Sequence, residues 1–546
     1  MVPPVVSCPQ PRRRLGSEEY KGMDAATVIQ SIRQRGVHLW VENTQLRYRG
    51  PAEAIDAETL ATLRKFKEPI IARLSRPTLV TNWGSRITPR SADDVIPLTP
   101  SQQHFWNSVE SLSLPFSRRS MVFAERIRGS LNIELLRLSI LHVIQRDESL
   151  RTTVVLSNGV PIQKVLPVFN YELDMVNLAH VPREEIETTA RCAVDEFIAT
   201  PIRLVSDNLF AFRLFVLGKD DYVAVTAIDH FIADRLSLFI LRRDIGSVYA
   251  QLSKGLAPSL PPSPVQFADY AVWLKQQVWT GRHEDYWRTR IDDACRVRLP
   301  RDEGLPRADR PKYEQVPVTF GKTLTARLHD LAKSSGITLV TSVLAAYVAV
   351  TLHWVRANDL TVWFIISGRD SPEVENAIGF FAHALLLRVQ LRELDTFLSL
   401  LRRVNSELYS ARKFDDFSRL LLRKPACAFN TGFNWLIDDQ STSSLTHQEA
   451  RGPQSTSDGI EAAPFPFTVP EFDIAWGDNP EWHDSEPGVH LAHGPEGISG
   501  TLFYHSHLFN RSTMERFVRD FRLFATALAD APLARVSSVR TAVPVG

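Results

Sequence analysis

The segment Ile228-Asp229-His230-Phe231-Ile232-Ala233-Asp234-Arg235-Leu236-Ser237 brings an imidazole, two carboxylates, a guanidinium and a hydroxyl together within ten residues. A strand pattern, Asp221–Asp229, ends there and a helix pattern, Leu236–Leu252, begins. A histidine at such a junction can face a cleft, and a nearby aspartate can brace the loop. A neutral imidazole suits acyl transfer, which needs a base or acceptor beside an attacking amine or hydroxyl. The spacing alone is weak support. With 15 histidines in the chain, about one H-x-x-x-D arises by chance at ordinary Asp frequency. Taken alone, these residues read better as a packed histidine and a helix N-cap aspartate. His505 and His507 sit two apart on a strand pattern and share a face, but no third ligand is evident. They read as a solvated polar face, and no metal site is expected. There is no G-x-S-x-G elbow, phosphate-binding P-loop, G-x-G-x-x-G turn or H-E-x-x-H pair. This argues against the usual hydrolases, nucleotidases, dinucleotide enzymes and zinc proteases.

The elements that must position these residues alternate along the chain. Leu131–Asp147 and Leu236–Leu252 carry apolar residues at helical spacing, and Phe210–Leu217 and Asp221–Asp229 flank Gly218-Lys219-Asp220 as paired strands. A proline-rich stretch, Ser253–Pro264, separates this half from a second one. That half has helices at Thr325–Ser334 and Leu339–Trp354 and a buried strand at Leu360–Ser367. Residues 440–490 are polar and read as a long loop. The chain has 546 residues, 44% hydrophobic and 23% charged, with 63 Lys+Arg against 62 Asp+Glu. That composition is ordinary for a globular α/β protein. The net charge of +1 gives no global attraction to nucleic acid or anionic membrane. No apolar run is long enough to span a bilayer. Four scattered cysteines fit a reducing cytoplasm.

A smaller unit precedes this. Val28, Ile29 and Ile32 mark a helix stopped by Gly36. Val37–Val41 and Gln45–Arg49 then form a hairpin, and Leu60, Leu63, Phe66, Ile70, Ile71 and Leu74 mark a second helix that Pro69 should kink. Arg47, Arg49, Lys65 and Lys67 make it basic, and a hairpin edge can add an extended peptide by backbone pairing. A solvated charged face is the alternative. Residues 1–22 read as a disordered extension, or translation begins at Met23.

The order of the motifs resembles the condensation domains of nonribosomal peptide synthetases, within the chloramphenicol acetyltransferase-like superfamily. Pro97-Leu98-Thr99-Pro100-Ser101-Gln102-Gln103 is similar to the family's opening motif. Arg146-Asp147-Glu148-Ser149-Leu150-Arg151-Thr152 resembles R-H-E-x-L-R-T, with Asp147 for His. Phe267–Trp273 resembles Y-x-D-[FY]-A-V-W, Gly368-Arg369 with Ile378–Phe381 resembles the G-R and I-G-x-F regions, and Gly500–Thr513 resembles the closing segment. The family's H-H-x-x-x-D-G reads Asp229-His230-Phe231-Ile232-Ala233-Asp234-Arg235: the first His is Asp229 and the Gly is Arg235. The resemblance implies His230 as the catalytic residue, Asp234 as structural through an arginine salt bridge, and Asp229 and Arg235 as motif residues that pair or tune the acceptor site. It implies Ser237 and His383, which stands for the usual Asn, as substrate-tunnel residues.

The N-terminal unit resembles a TubC-type β-hairpin docking domain, implying that Arg47, Arg49, Lys65 and Lys67 receive the short acidic C-terminal tail of an upstream synthase subunit. The implied organisation is an extension (1–22), an α-β-β-α docking domain (23–76), a linker (77–95), an N-lobe (96–265) and a C-lobe (266–546), the lobes forming a V. The implied function is that of a stand-alone cytoplasmic monomer with no intrinsic cofactor, acting on 4'-phosphopantetheine thioesters of acyl or peptidyl carrier proteins. It would transfer the acyl group to an amine or hydroxyl, giving an amide or ester and, at the end of a peptide or hybrid polyketide line, releasing the chain. Two alternatives stay open. Asp229, Asp234 and Ser237 also spell the D-x-x-x-x-D-x-x-S pattern of heterocyclisation domains. A non-catalytic carrier-docking platform is the other.

Overall fold

The chain divides into two compact units, Met1–Val80 and Thr81–Gly546. The computed structural model describes residues 28, 32, 38–42, 45–49, 56–67 and 70 of the first unit. Of the second it describes 86–109, 114–115, 120–167, 171–205, 208–260, 263–277, 281–291, 294, 298–305, 313–414, 431–436, 454–455, 461–464, 486–539 and 541. The expected extension over residues 1–22, and positions 71–74 of the second helix, lie outside these.

In the first unit β1 (His38–Glu42) and β2 (Gln45–Arg49) pair antiparallel, with Glu42 opposite Gln45. The helix α1 (Ala57–Lys65) starts at Asp56, whose carboxylate accepts the Thr59 N–H at 2.8 Å and satisfies one of the donors a helix start leaves open. Val28, Ile32, Leu63 and Ile70 are buried, and Lys65 and Lys67 are exposed.

The second unit holds two six-stranded sheets. The first is built on β3 (Ser120–Arg128), β4 (Asp174–Asn177), β5 (Phe210–Gly218) and β6 (Asp221–Asp229), in the order β3-β6-β5-β4. The strand β6 pairs antiparallel with both β3 and β5, and every residue after Asp221 is buried. Its near-continuous apolar run is what a strand covered on both faces requires. The helices α2 (Ile133–Arg146), α3 (Ile186–Ile198) and α4 (Arg235–Ser253) turn Ile140, Val143, Val194, Phe197, Leu238 and Leu241 into its core.

The helix α5 (Phe267–Gln276) follows the proline-rich stretch. The second sheet then forms from β7 (Tyr313–Phe320), β8 (Asp359–Ile366), β9 (His383–Gln390) and β10 (Thr431–Leu436). Two short strands, β11 (Gln454–Ser455) and β12 (Glu461–Pro464), do not stay with it. They add to the outer edge of the first sheet, Glu461 opposite Arg128 and Pro464 opposite Glu125. The stretch expected to be loop over 440–490 thus carries two strands that join the sheets, and only the neighbouring edge reveals them. Last come β13 (Gly488–Gly494) and β14 (Gly497–His505), completing the order β7-β14-β13-β10-β8-β9.

Four helices cover one face of this sheet: α6 (Gly321–Ser335), α7 (Leu339–Val355), α8 (Phe397–Lys413) and α9 (Arg511–Asp530). Gly336, at φ +69°, ends α6, and Thr338 caps α7 two residues later. The residues of α7 are apolar nearly all round because the helix is buried all round. Val362, Phe364, Phe433, Val489, Leu491 and Leu502 point to the helices. Their alternates Trp363, Asn434, His490 and Thr501 take the opposite face. Among the described residues no single helix is long and apolar enough to cross a membrane.

Residues 86–95, within the stretch read as a linker, are anchored. Ile87 is buried beside Val265 and Phe267, and Arg90 binds Asp269 at 2.7 Å and Glu148 at 2.9 Å.

Candidate functional site

Between β6 and α4 the chain makes a tight loop whose side chains sort sharply by burial. Asp229, Phe231, Ile232, Ala233 and Asp234 are all buried, and His230 alone between Ile228 and Arg235 is half-exposed. The sorting follows from local bonds. Asp229, at 0% exposure, accepts the Phe231 N–H at 2.9 Å and folds the loop back on the strand end. The Gln102 amide donates to the Phe231 carbonyl at 2.9 Å and to Gln163 at 3.1 Å, while Gln102 accepts the Thr99 N–H at 2.9 Å. The opening motif therefore works as a brace for this loop. With its neighbours committed inward, His230 is left facing outward, its ring 4.5 Å from that of Phe380 and 6.3 Å from that of Phe105. Its Nδ1 lies 2.9 Å from the Ala233 carbonyl. A carbonyl only accepts, so Nδ1 carries a proton, and in the neutral ring it is Nε2 that has the lone pair.

Asp234 is the N-cap of α4 and the centre of a junction between the two sheets. Its Oδ1 accepts the Ser237 N–H at 2.9 Å and lies 2.9 Å from Ser237 Oγ. Its Oδ2 accepts the Phe381 and Ala382 N–H groups at 3.2 Å and a guanidinium N–H of Arg369. Ser237 Oγ in turn accepts from the Gly379 N–H at 3.0 Å and from Arg369 at 2.9 Å, and lies 2.9 Å from the Gly379 carbonyl. Both sides of this pair are almost fully enclosed, Arg369 being 3% exposed. Ser237, expected to line a substrate tunnel, is instead fully buried, because its hydroxyl is used to join Asp234, Arg369 and Gly379.

Two glycines let the second sheet approach this closely. A Cβ on Gly368, at φ +64°, would fall 2.0 Å from the Phe381 carbonyl, and one on Gly379 would fall 2.4 Å from the Phe267 ring. His383 opens β9 one residue beyond Ala382 and is half-buried, with Nδ1 2.9 Å from the Phe381 carbonyl. Asp234 and Arg369 are thus positioning residues for the segment that carries His383 and Phe380, the latter with its ring against His230.

A second buried polar group supports the same junction. Arg146 bridges Asp147 at 2.7 Å and Asp244 at 2.5 Å, and Ser149 Oγ donates to the Ile378 carbonyl at 2.6 Å. Burial pushes the Asp147 carboxyl up to about 6, and the Arg146 guanidinium, which also serves Asp244, offsets this only in part; Asp244 has a second partner in Arg243 at 2.7 Å.

Arg235, first residue of α4, places its guanidinium 5.4 Å from the Phe239 ring. Its charge reaches across to His490 on β13, which burial first and that cation second hold down to about 4. No motif or spacing singles out His490, whose signal lies in sheet register. His505, expected on a solvated face, is fully buried at the end of β14, its ring 5.2 Å from that of His507. Among the described residues no group of three potential ligands surrounds a metal position. In the first unit Arg47 and Arg49 lie opposite Trp40 and His38 in the register of the hairpin.

Residues 92–544 match the Condensation domain family and residues 26–75 match the TubC N-terminal docking domain. The chain belongs to the condensation domain family. It is 27% identical over 472 residues to a linear gramicidin synthase of Brevibacillus parabrevis, covering 84% of this chain and 6% of that synthase. It is 27% identical over 470 residues to enniatin synthase of Fusarium equiseti, covering 84% of this chain and 14% of that one. The chain thus spans a small part of these relatives. The X-domain from teicoplanin biosynthesis superposes with a TM-score of 0.68 at 20% identity, over 84% of this chain and all of that one. A condensation domain described in chain release from the enacyloxin polyketide synthase superposes with a TM-score of 0.63 at 16% identity, over 95% of this chain and 98% of that one.

Proposed function

We propose that the chain catalyses acyl transfer from a carrier-protein phosphopantetheine thioester to an amine or hydroxyl. The observation that carries the reading is the His230 loop, in which one imidazole turns outward with Nδ1 bonded to its own loop, leaving Nε2 to meet an acceptor. An acceptor N–H or O–H placed against Nε2 gives up its proton as the nitrogen or oxygen attacks the thioester carbon. The C–S bond breaks, the sulfur leaves as thiolate and takes up a proton, and an amide or ester forms. His383, at the start of β9, is carried on the segment that Asp234 holds. Membership of the family supports carrier proteins as partners. Docking of an acidic tail on Arg47, Arg49, Lys65 and Lys67 is the fitting role for the first unit.

Heterocyclisation finds no support in the geometry. Of the three residues that spell its pattern, Asp229 is enclosed and folds its own loop, while Asp234 and Ser237 are committed to the Arg369 junction.

The test is intact-mass spectrometry of an acyl-loaded carrier protein with a panel of amines and alcohols. Wild type should unload the carrier and give a product holding the elements of both partners less the thiol. His230→Ala should slow this by roughly 10²–10⁴-fold, the usual weight of a general base, while carrier binding persists. Equal turnover in the two would remove His230 from the chemistry. A product one further water lighter would restore cyclisation.

A further inference from the structure

The hydrogen bond from His230 Nδ1 to the Ala233 carbonyl fixes one edge of the imidazole but not its plane. About that one bond the ring can still tilt, and Nε2 moves with it. A second contact has to set the plane. Phe380 stands against the ring at 4.5 Å with the planes 50° apart, and Phe105 at 6.3 Å and 52°. Phe380 and Phe105 also meet edge to face, 6.3 Å apart, so the three rings close on one another at separations where aromatic rings attract. Phe105 comes from the helix Pro100–Val109, is 4% exposed and packs on Phe231 as well, as a wall of the first sheet's own core. Phe380 arrives from elsewhere, on the segment that leads into β9. Both its neighbours are tied to the start of α4: the Gly379 N–H donates to Ser237 Oγ at 3.0 Å, and the Phe381 N–H to Asp234 Oδ2 at 3.2 Å. A side chain between two anchored peptide groups has little freedom, and this one, partly buried, packs on the core of the first sheet.

We propose that Phe380 is a positioning residue for the acyl transfer: packed on His230, it sets the plane of the imidazole, so that with Nδ1 held on Ala233 the Nε2 lone pair points one way, toward the acceptor. The inference rests on the acyl-transfer reading and adds the side chain by which the segment entering the second sheet governs the histidine of the first. In Ile378-Gly379-Phe380-Phe381 it stands at the open letter of I-G-x-F, so spelling does not mark it, whereas its contact does. The role is packing. A phenyl ring neither supplies nor takes a proton, so any effect on the chemistry has to pass through His230. Proton abstraction needs the base aligned with the acceptor N–H or O–H, and a misplacement of about 1 Å costs on the order of 10²-fold in rate.

The test compares wild type, Phe380→Ala and Phe380→Leu in two measurements on the full chain. The first is acyl transfer from an acyl-loaded carrier protein to a panel of amines and alcohols, read as kcat and KM. The second is heteronuclear NMR of histidine-labelled chains in alkaline buffer, with His230→Ala to assign the ring, read as the share of His230 that keeps its proton on Nδ1. That form should dominate in wild type. Phe380→Ala should lower kcat by roughly 10–100-fold with KM within about twofold, and should turn the ring into a mixture of tautomers as the Ala233 bond loosens. Phe380→Leu, which restores apolar volume, should return both readings most of the way. Unfolding curves establish that the variants are folded, and Phe380→Val takes the place of Phe380→Ala if the latter is not. Unchanged kcat, a loss confined to KM, or a fall in kcat with the His230 ring unaltered would overturn the role. If wild type turns over no acceptor while the tautomer share still follows position 380, the acyl-transfer reading fails and the control of the His230 ring by Phe380 stands.

Discussion

Asp234→Asn isolates what the junction between the sheets contributes. The carboxylate collects five donors, two on Oδ1 and three on Oδ2. An amide offers one acceptor oxygen and two new hydrogens, so one group of donors must face N–H. With the oxygen toward Arg369, the cap on α4 is lost, at about 1 kcal/mol. With the oxygen toward Ser237, the Phe381 and Ala382 N–H groups are orphaned, at about 1–3 kcal/mol each. In either orientation Arg369, 3% exposed, keeps its charge and loses its counter-ion. Breaking a buried pair from one side costs about 3–5 kcal/mol. The expected loss is therefore at least about 3 kcal/mol, a large share of the roughly 5–15 kcal/mol that holds a domain folded. The assay is denaturant unfolding of the full chain, followed by a probe in the larger unit. Arg369→Met and the double variant complete the cycle, and the double variant should recover part of the loss because no unpaired charge remains. Acyl transfer should fall with the junction although Asp234 touches no substrate, since Phe380 and His383 are carried on the segment it holds. A single-variant loss below about 1 kcal/mol, or no coupling in the cycle, would refute the reasoning.

Three further outcomes follow from the same geometry. Asp147 has a folded pKa raised to about 6 from an ordinary value of 3.8, so the fold binds its proton more tightly than the unfolded chain does. Its contribution is full below pH 3.8 and is lost as pH rises from there through about 6, by on the order of 2–3 kcal/mol. The stability of Asp147→Asn relative to wild type should rise over that interval, and parallel pH profiles would contradict the shift. Gly368→Ala should destabilise by at least about 1–3 kcal/mol, because the left-handed backbone and the Phe381 carbonyl both resist a Cβ; Gly218→Ala, which meets nothing within 4 Å, is the control. Lys65→Glu with Lys67→Glu should slow association of an acidic peptide with the first unit and flatten its salt dependence, read by stopped-flow fluorescence.

Much of the fold was legible because its patterns are strong. The buried α7 and the doubly covered β6 are set by apolar runs whose length alone separates helix from strand. The strands β11 and β12 were not legible. Gln454–Ser455 and Glu461–Pro464 have no alternation of their own and become strands only because the edge of β3 offers unpaired backbone. The same limit applies at the site. His230 and Asp234 lie four apart and could be singled out by spacing, and Asp234 could be expected to meet an arginine. The position of Ser237 inside the junction could not be read, since a serine three residues into a helix serves a tunnel or a capping box equally well. Phe380 stands far along the chain from His230, and only the junction between the sheets sets the two rings side by side.

That difference bears on how a motif with two altered letters should be read. Replacing the first histidine by Asp229 creates the spelling of a cyclising domain, yet the carboxylate is spent on the Phe231 N–H, with no exposure left for chemistry. Replacing the glycine by Arg235 creates no known spelling, yet it adds a cation that acts across the sheets on His490. Spelling ranks the first change as the more consequential. Burial and electrostatics rank the second higher, because Asp229 is enclosed while Arg235 keeps partial exposure and its charge reaches the second sheet.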